Sequence, residues 1–396
     1  MKTRMTAVTL FLCLAYFLCA SCGDEGSPTN PGSGGDLTVS SISPPGAAIG
    51  LTAKIIGTNF GANPKSGGVT VAGIAATIVS WSSTEIEFTV PAGITEDTMA
   101  SILVTTTSGK TVSAQLDIPP ANVYRITTDI AQDHYPCWSA GANYIYFCSI
   151  RAGGANWEIY RIPAEGGEVQ RVTNYDGPDF YPDIKLSTGE LAWSSTENHL
   201  GLNPTGDFEI FSGFMPPCTG GACTQGIRTQ NESRDLDPAW ARSVHAGYNM
   251  VSTWEEVDQD GYYLAWKVVL HGTGGPTELT EGRQPNFSEN GRWVVYNHDD
   301  NIYKIETVGG TPVQLTGTGR DWYPHWGVND KIVFQRSSST GNAEDVCVMN
   351  SDGTDVQELV ATRNGEYCPS WSPDGTKIVY YAHRWSNFDI YIYVVP

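Results

Sequence analysis

DHYPCWS at residues 133–139, DFYPDIK at 179–185, DLDPAWA at 235–241, GRQPNFS at 282–288, DWYPHWG at 321–327 and EYCPSWS at 366–372 align without a gap. Their prolines, Pro136, Pro182, Pro238, Pro285, Pro324 and Pro369, stand 46, 56, 47, 39 and 45 residues apart. A repeat of about 40–50 residues is the period of one β-propeller blade. Each unit continues in the same order. A turn follows the heptad, clearest at Ser372-Pro373-Asp374-Gly375, and leads to an apolar strand such as YIYF (144–147) or KIVF (331–334). A third strand reads EIYRI (158–162), EIFSG (209–213), NIYKI (301–305), DVCVM (345–349) or DIYIY (389–393). A Gly-rich turn then gives a fourth strand ending in Thr, as in QRVT (170–173), TELT (277–280) and VQLT (313–316). Four strands per unit make a blade.

The sixth unit reaches Pro396 without a fourth strand. YRIT (124–127) supplies one: Thr127 lies nine residues before Pro136, the spacing of Thr173 to Pro182. An N-terminal strand is thus expected to close the ring and remove its open sheet edges. These motifs resemble the TolB-like propeller repeats, with the pattern D-x-x-P-x-W-S-P-D-G followed by I-x-F and D-I-Y, and the resemblance covers residues 122–396. It implies a six-bladed propeller and a scaffold that binds a protein or peptide partner in the cell envelope. Two units depart from the pattern. The third has Tyr262-Tyr263-Leu264-Ala265-Trp266 in place of the third-strand signature, and the fourth has Gly282 and Arg283 where the others carry acidic or aromatic residues.

Ahead of the repeats, residues 37–118 alternate apolar and polar, as in VTV (69–71) and IEFTV (86–90), the period of a half-buried strand. ISPPG (42–46), IIGTNFG (55–61), Trp81-Ser82, Val90-Pro91 and SGK (108–110) resemble an IPT/TIG domain. That family implies a small immunoglobulin-like sandwich, used as a spacer or as a protein or glycan contact module. Asn59, Phe60 and Gly61 read as turn and core residues. The fold class expected is all-β: a small Ig-like β-sandwich followed by a six-bladed β-propeller closed by an N-terminal strand.

Residues 1–21 read as a lipoprotein signal peptide, with Lys2 and Arg4 ahead of an apolar run from Ala7 to Phe17 that is too short to span a bilayer. Leu18-Cys19-Ala20-Ser21-Cys22 resembles a bacterial lipobox, which implies lipid on Cys22; ordinary secretory cleavage is the alternative. Residues 22–36 form a Gly/Ser/Pro-rich tether. The expected location is exported and membrane-anchored by lipid, at the periplasmic face or the cell surface. Six cysteines follow Cys22, an even number consistent with disulfides in an exported chain. Cys218 and Cys223, flanking Thr-Gly-Gly-Ala, are the expected pair; other pairings stay open.

Lys and Arg number 23 against 43 Asp and Glu, a net charge of −20. Nucleic acid is excluded as a partner, because phosphates need a basic face. Three residues before each proline stand Asp133, Asp179, Asp235, Gly282, Asp321 and Glu366. The five acids have two readings: a carboxylate collar at the channel mouth for a basic peptide or Ca2+, or caps on the turn before the strand. Two residues after each proline stand Trp138, Ile184, Trp240, Phe287, Trp326 and Trp371, expected to pack between blades. Trp254, Trp322 and Trp385 lie outside the repeat consensus and are the candidate ligand-contact aromatics.

The seven histidines show no metal-ligand spacing, although His298 and His383 follow second strands and could meet on a rim. No H-E-x-x-H, P-loop or G-x-S-x-G occurs. The chain is therefore expected to bind rather than catalyse and to carry no cofactor. A surface glycan-binding role is the alternative, and a metal-dependent polysaccharide or oligosaccharide lyase a third reading.

Overall fold

Each heptad forms the innermost strand of a blade. A computed structural model describes residues 35–396, except 65–67, 154–155, 175, 198–200, 202, 215–223, 232, 258–262 and 339–342. The first blade comprises Asp133–Trp138, Tyr144–Ser149, Glu158–Pro163 and Gln170–Arg171; the second, Asp179–Lys185, Glu190–Ser195, Glu209–Phe214 and Thr224–Ile227. The third comprises Asp235–His245, Tyr248–Val257, Tyr263–Gly272 and Thr277–Glu281; the fourth, Arg283–Phe287, Trp293–His298, Asn301–Glu306 and Val313–Gln314. The fifth comprises Asp321–Trp326, Lys331–Ser337, Glu344–Asn350 and Gln357–Val360. These five are four-stranded sheets in chain order, paired antiparallel throughout. The sixth blade, Glu366–Trp371, Lys377–Arg384 and Asn387–Val394, takes its fourth strand from Val123–Arg125, with Val123 opposite Tyr393 and Arg125 opposite Tyr391. The protein is all-β, an Ig-like sandwich followed by a six-bladed propeller that an N-terminal strand closes.

The core is built at the junctions. Six apolar clusters each join two consecutive blades, around to the sixth and first. The residue two after each proline lies in every case in such a layer: Trp138, Ile184, Trp240, Phe287, Trp326 and Trp371 are all at most 6% exposed. Burying such a side chain contributes about 1.5–3 kcal/mol, which explains why a bulky apolar residue recurs there.

A second recurrent feature aims side chains at the axis. The residue before each proline, Tyr135, Tyr181, Asp237, Gln284, Tyr323 and Cys368, has φ between 47 and 55°. That left-handed conformation is costly for residues with a Cβ. The pairing with the second strand shifts at this point in all six blades, between His134 and Cys137 in the first and between Tyr367 and Ser370 in the sixth. It is a β-bulge, which bends a strand and re-aims its side chains.

The N-terminal sandwich is not a detached spacer. One of its sheets is Thr38–Ser43, Thr52–Thr58, Glu85–Thr89 and Thr77–Trp81. Its other strands continue the sixth blade into a nine-stranded sheet: Gly46–Ala47 pairs with the closing strand, Tyr124 opposite Ala47, and parallel to Thr111–Ile118. A side chain at Gly46 would not fit, since a Cβ there would lie 2.7 Å from the Cβ of Arg125. Buried charges seal the junction. Arg125 is 2.7 Å from Asp389 and 3.7 Å from Asp117; Arg384 is 3.7 Å from Asp117 and also pairs with Asp97. Phe60 is fully buried in the sandwich core with Ile55, Ile86 and Phe88, and Asn59 has φ 61°.

The third blade corrects one reading. By register, Trp254 faces Asp235 on one side and Lys267 on the other, so Lys267-Val268-Val269-Leu270 occupies the third-strand signature. Tyr263–Trp266 extends the hairpin beyond it. The second and third strands of this blade have ten residues each, against six in the first blade. Cys137, Cys148, Cys347 and Cys368 are buried free thiols. Cys22, the signal peptide and the Cys218–Cys223 pair lie outside the described residues.

Candidate functional site

The five acids expected at the channel mouth face elsewhere. Asp133, Asp179, Asp235, Asp321 and Glu366 are at most 1% exposed and none lines the axial cavity. Asp133 accepts two hydrogen bonds of 2.7 Å from Nη2 of Arg151. Asp321 accepts 2.6 and 3.0 Å bonds from Arg336 and a 2.7 Å bond from the Thr318 hydroxyl. Asp235 accepts from the Asn231 amide at 2.6 Å. Glu366 accepts from the Thr362 hydroxyl and, at 3.3 Å, the Thr362 N–H. Burial raises the Glu366 carboxyl to about 8. Burial raises Asp179 well above the usual range, with the nearby Glu158 adding to it. Of the two readings of this position, the geometry matches the structural one, with arginine pairs at two positions beyond simple capping.

The same ladder carries a further latch. A Thr two residues beyond the end of a fourth strand accepts the N–H of an isoleucine in the third: Thr173 from Ile159, Thr229 from Ile210, Thr316 from Ile302 and Thr127 from Ile390, at 2.8–3.0 Å. In the first blade Thr173 also donates to Glu158 at 2.7 Å.

The axis belongs to the bulge. Its cavity, about 120 Å³, is lined by the proline and its two neighbours in every blade. One ring is Tyr135, Tyr181, Asp237, Gln284, Tyr323 and Cys368; the other is Cys137, Asp183, Ala239, Asn286, His325 and Ser370. At roughly 30 Å³ per water, the space suits a few waters or the tip of a side chain. Tyr135 and Tyr181 stand together on its wall, with ring centroids 4.4 Å apart. Several polar members are engaged between blades. Asp183 accepts the Trp240 N–H at 2.7 Å, Asn286 the Trp326 N–H at 3.0 Å, His325 Nδ1 the Trp371 N–H at 3.2 Å, and Gln284 the Tyr323 N–H at 3.0 Å. An accepting Nδ1 requires neutral His325, consistent with burial and then Arg242 holding its pKa down to about 3. Burial raises Asp183 to about 7 and Asp237 to about 6.

At one mouth of this channel the second heptad residues contribute an arc of aromatics over the sixth, first and second blades. His134 stacks on Tyr381 at 4.7 Å and contacts Trp157 at 4.8 Å and Phe388 at 4.7 Å. Trp157 meets Phe180 at 5.5 Å, Phe180 meets Phe208 at 5.9 Å, and Tyr367 stacks on Tyr381 at 5.1 Å. Through Tyr135, 6.2 Å from Phe180, the arc continues into the channel. His134, Trp157, Phe180, Phe208, Tyr367 and Phe388 are all half-buried. Sequence reasoning missed this arc; the signal available was the aromatic at the second heptad position in four units.

The candidate tryptophans stand apart. Trp254 is half-buried on the third blade. Trp322, on the fifth, donates from Nε1 to Asp300 at 2.8 Å. Trp385, 47% exposed, sits at a hairpin turn of the sixth blade under Arg384. His298 and His383 lie on the fourth and sixth blades. Among the described residues, no three His, Cys, Asp or Glu side chains gather as metal ligands.

Residues 37–118 match the IPT/TIG domain. The sandwich fused to the sixth blade is thus an IPT/TIG domain. An uncharacterised protein of Agrobacterium fabrum is 31% identical over 127 residues, a match covering 27% of this chain and 43% of that protein, so the chain spans less than half the length of this curated relative. Among solved structures, TolB from Acinetobacter baumannii is similar at 13% identity, with 82% of this chain and 79% of that one covered and a TM-score of 0.46. An auxiliary nutrient binding protein from Bacteroides ovatus is similar at 14% identity, with 92% and 99% covered and a TM-score of 0.45.

Proposed function

We propose that this protein is an exported, lipid-anchored binding protein that holds an extended peptide segment of an envelope partner against the aromatic mouth of its propeller. The observation that carries the reading is the continuous arc from Tyr367 through His134 to Phe208, half-buried and opening onto a channel too small for a whole ligand. Rings left partly exposed offer apolar area at little entropic cost, and such residues dominate the binding energy of peptide sites. Beyond them, Asp237 stands beside the tyrosines where a basic side chain of the peptide would reach. Lipid on Cys22 and the tether of residues 22–36 would hold the domains off a membrane.

Two experiments test it. Peptides selected from a displayed library on the purified protein are measured by calorimetry against Phe180→Ala and Tyr367→Ala. Affinity should fall about tenfold for each, the effect of one lost aromatic contact, with Tm maintained. A library yielding no binder, or binders indifferent to both changes, would rule the site out. Replacing Cys22 by Ser should release the protein from the membrane fraction; retention there would rule out the lipid anchor.

A further inference from the structure

The two units that break the repeat meet in space. The extended hairpin of the third blade brings Tyr263, Leu264 and Trp266 alongside the start of the fourth, where Gly282 and Arg283 replace the usual residues. Between them opens a groove of about 440 Å³, lined also by His298, Asp299 and Asp300. The axial channel holds about 120 Å³, whereas ligand pockets span roughly 300–1,000 Å³. Gly282 lines this groove and admits no side chain. Its φ is 143°, and a Cβ there would lie 2.5 Å from the Tyr296 ring and 2.7 Å from the Asn297 carbonyl, so the acid found in five other blades has no room.

We infer that this groove between the third and fourth blades binds a neutral oligosaccharide. One wall is aromatic: Trp266 is half-buried, Tyr263 is 55% exposed, and their centroids lie 6.0 Å apart. Such faces accept the C–H side of a pyranose ring. The other wall is a fixed array of donors and acceptors. Arg283 donates to Asn297 at 3.3 Å and to Asp300 Oδ1 at 3.4 Å, and Trp322 donates to the same Oδ1 at 2.8 Å. The Asp300 side chain still keeps 48% of its surface exposed and that of Arg283 40%. A held carboxylate beside a guanidinium suits vicinal hydroxyls, each of which both donates and accepts.

Charge selects among saccharides. Glu281 pairs with Lys267 at 3.3 Å and Asp300 with Arg283 at 3.4 Å, so Asp299, beside His298, leaves a slight negative excess that disfavours uronates, sulfates and phosphates. The inference does not depend on the peptide reading, since groove and aromatic arc lie on different blades.

The test is affinity electrophoresis of the leaderless protein in gels carrying soluble β-glucan, xylan or mannan, with polygalacturonate as the anionic comparison and a Lys-rich peptide titrated separately. Retardation is expected in at least one neutral gel and not with polygalacturonate. Trp266→Ala and Tyr263→Ala should each weaken it about tenfold, whereas Phe180→Ala should leave it unchanged. Tyr263 is largely exposed, so its variant reports binding even if Trp266→Ala impairs folding. The inference is overturned if no neutral polysaccharide retards the protein. Retardation insensitive to Tyr263→Ala in folded protein, or a preference for polygalacturonate or the peptide, would overturn it as well.

Discussion

At the scale of the residue, the molecule is defined by what it does with buried carboxylates. Asp133 is fully buried against Arg151, whose side chain is 12% exposed. Asp133→Asn keeps the shape and leaves a guanidinium without its counter-charge, a loss of roughly 3 kcal/mol. Urea unfolding checks this, and a change under about 0.5 kcal/mol, the range of an inert surface substitution, would mean that Asp133 is only a turn cap. Gly282→Asp should cost about 1–3 kcal/mol by overpacking against Tyr296; unchanged stability would show that the fourth blade can relax around a side chain.

The raised carboxyls also set a pH dependence. Glu366 at about 8 and Asp183 at about 7 hold protons in the folded state that the unfolded chain releases near pH 4. The folded state therefore binds more protons, and stability falls as pH rises through the folded values. The neutral histidines His134 and His271, both held down to about 4 by burial, act in the opposite sense only below about pH 6.5. Between pH 6.5 and 8.5 the acids act without that opposition, so Tm should decline across that window. A rising Tm would contradict the protonated assignment.

At the scale of the element, the closing strand is the critical one. Val123 is fully buried between the fifth and sixth blades, and Ile126 packs at the junction of the sixth and first. A chain beginning at Thr128 lacks both, with an expected loss of several kcal/mol at about 1.5–3 kcal/mol per buried large side chain. A chain beginning at Pro119 keeps them. Equal melting of the two would refute closure by this strand. The bulged inner strand is the second decisive element: six left-handed residues before proline show that axial placement outweighs local backbone preference.

At the scale of the whole molecule, the IPT/TIG domain and the sixth blade share one sheet, so the closing strand has hydrogen-bonded neighbours on both sides. Ser43 of the sandwich also donates to the Glu165 carbonyl of the first blade at 2.9 Å. Removing the domain should lower Tm relative to a chain beginning at Asp36 and reduce hydrogen-exchange protection at Val123–Arg125. Unaltered exchange there would restore the domain to a mere spacer.

The repeat period, the six prolines, the bulky residue two places beyond each and the orphaned YRIT segment were enough to read the ring, its core positions and its closure. They sufficed because those features are local in sequence and recur with one blade geometry. The facing of the acids was not legible. A period of two predicts which side of a strand is buried only while the register is unbroken, and the bulge before each proline changes it, so the axis goes to the neighbours of the proline and the carboxylates are buried within the blades, away from it. Arg151 and Arg336, their partners, lie 18 and 15 residues further on, with no motif marking them. The aromatic arc and the groove at Gly282 needed the tertiary structure, because both assemble from different blades whose side chains become neighbours only when the ring closes.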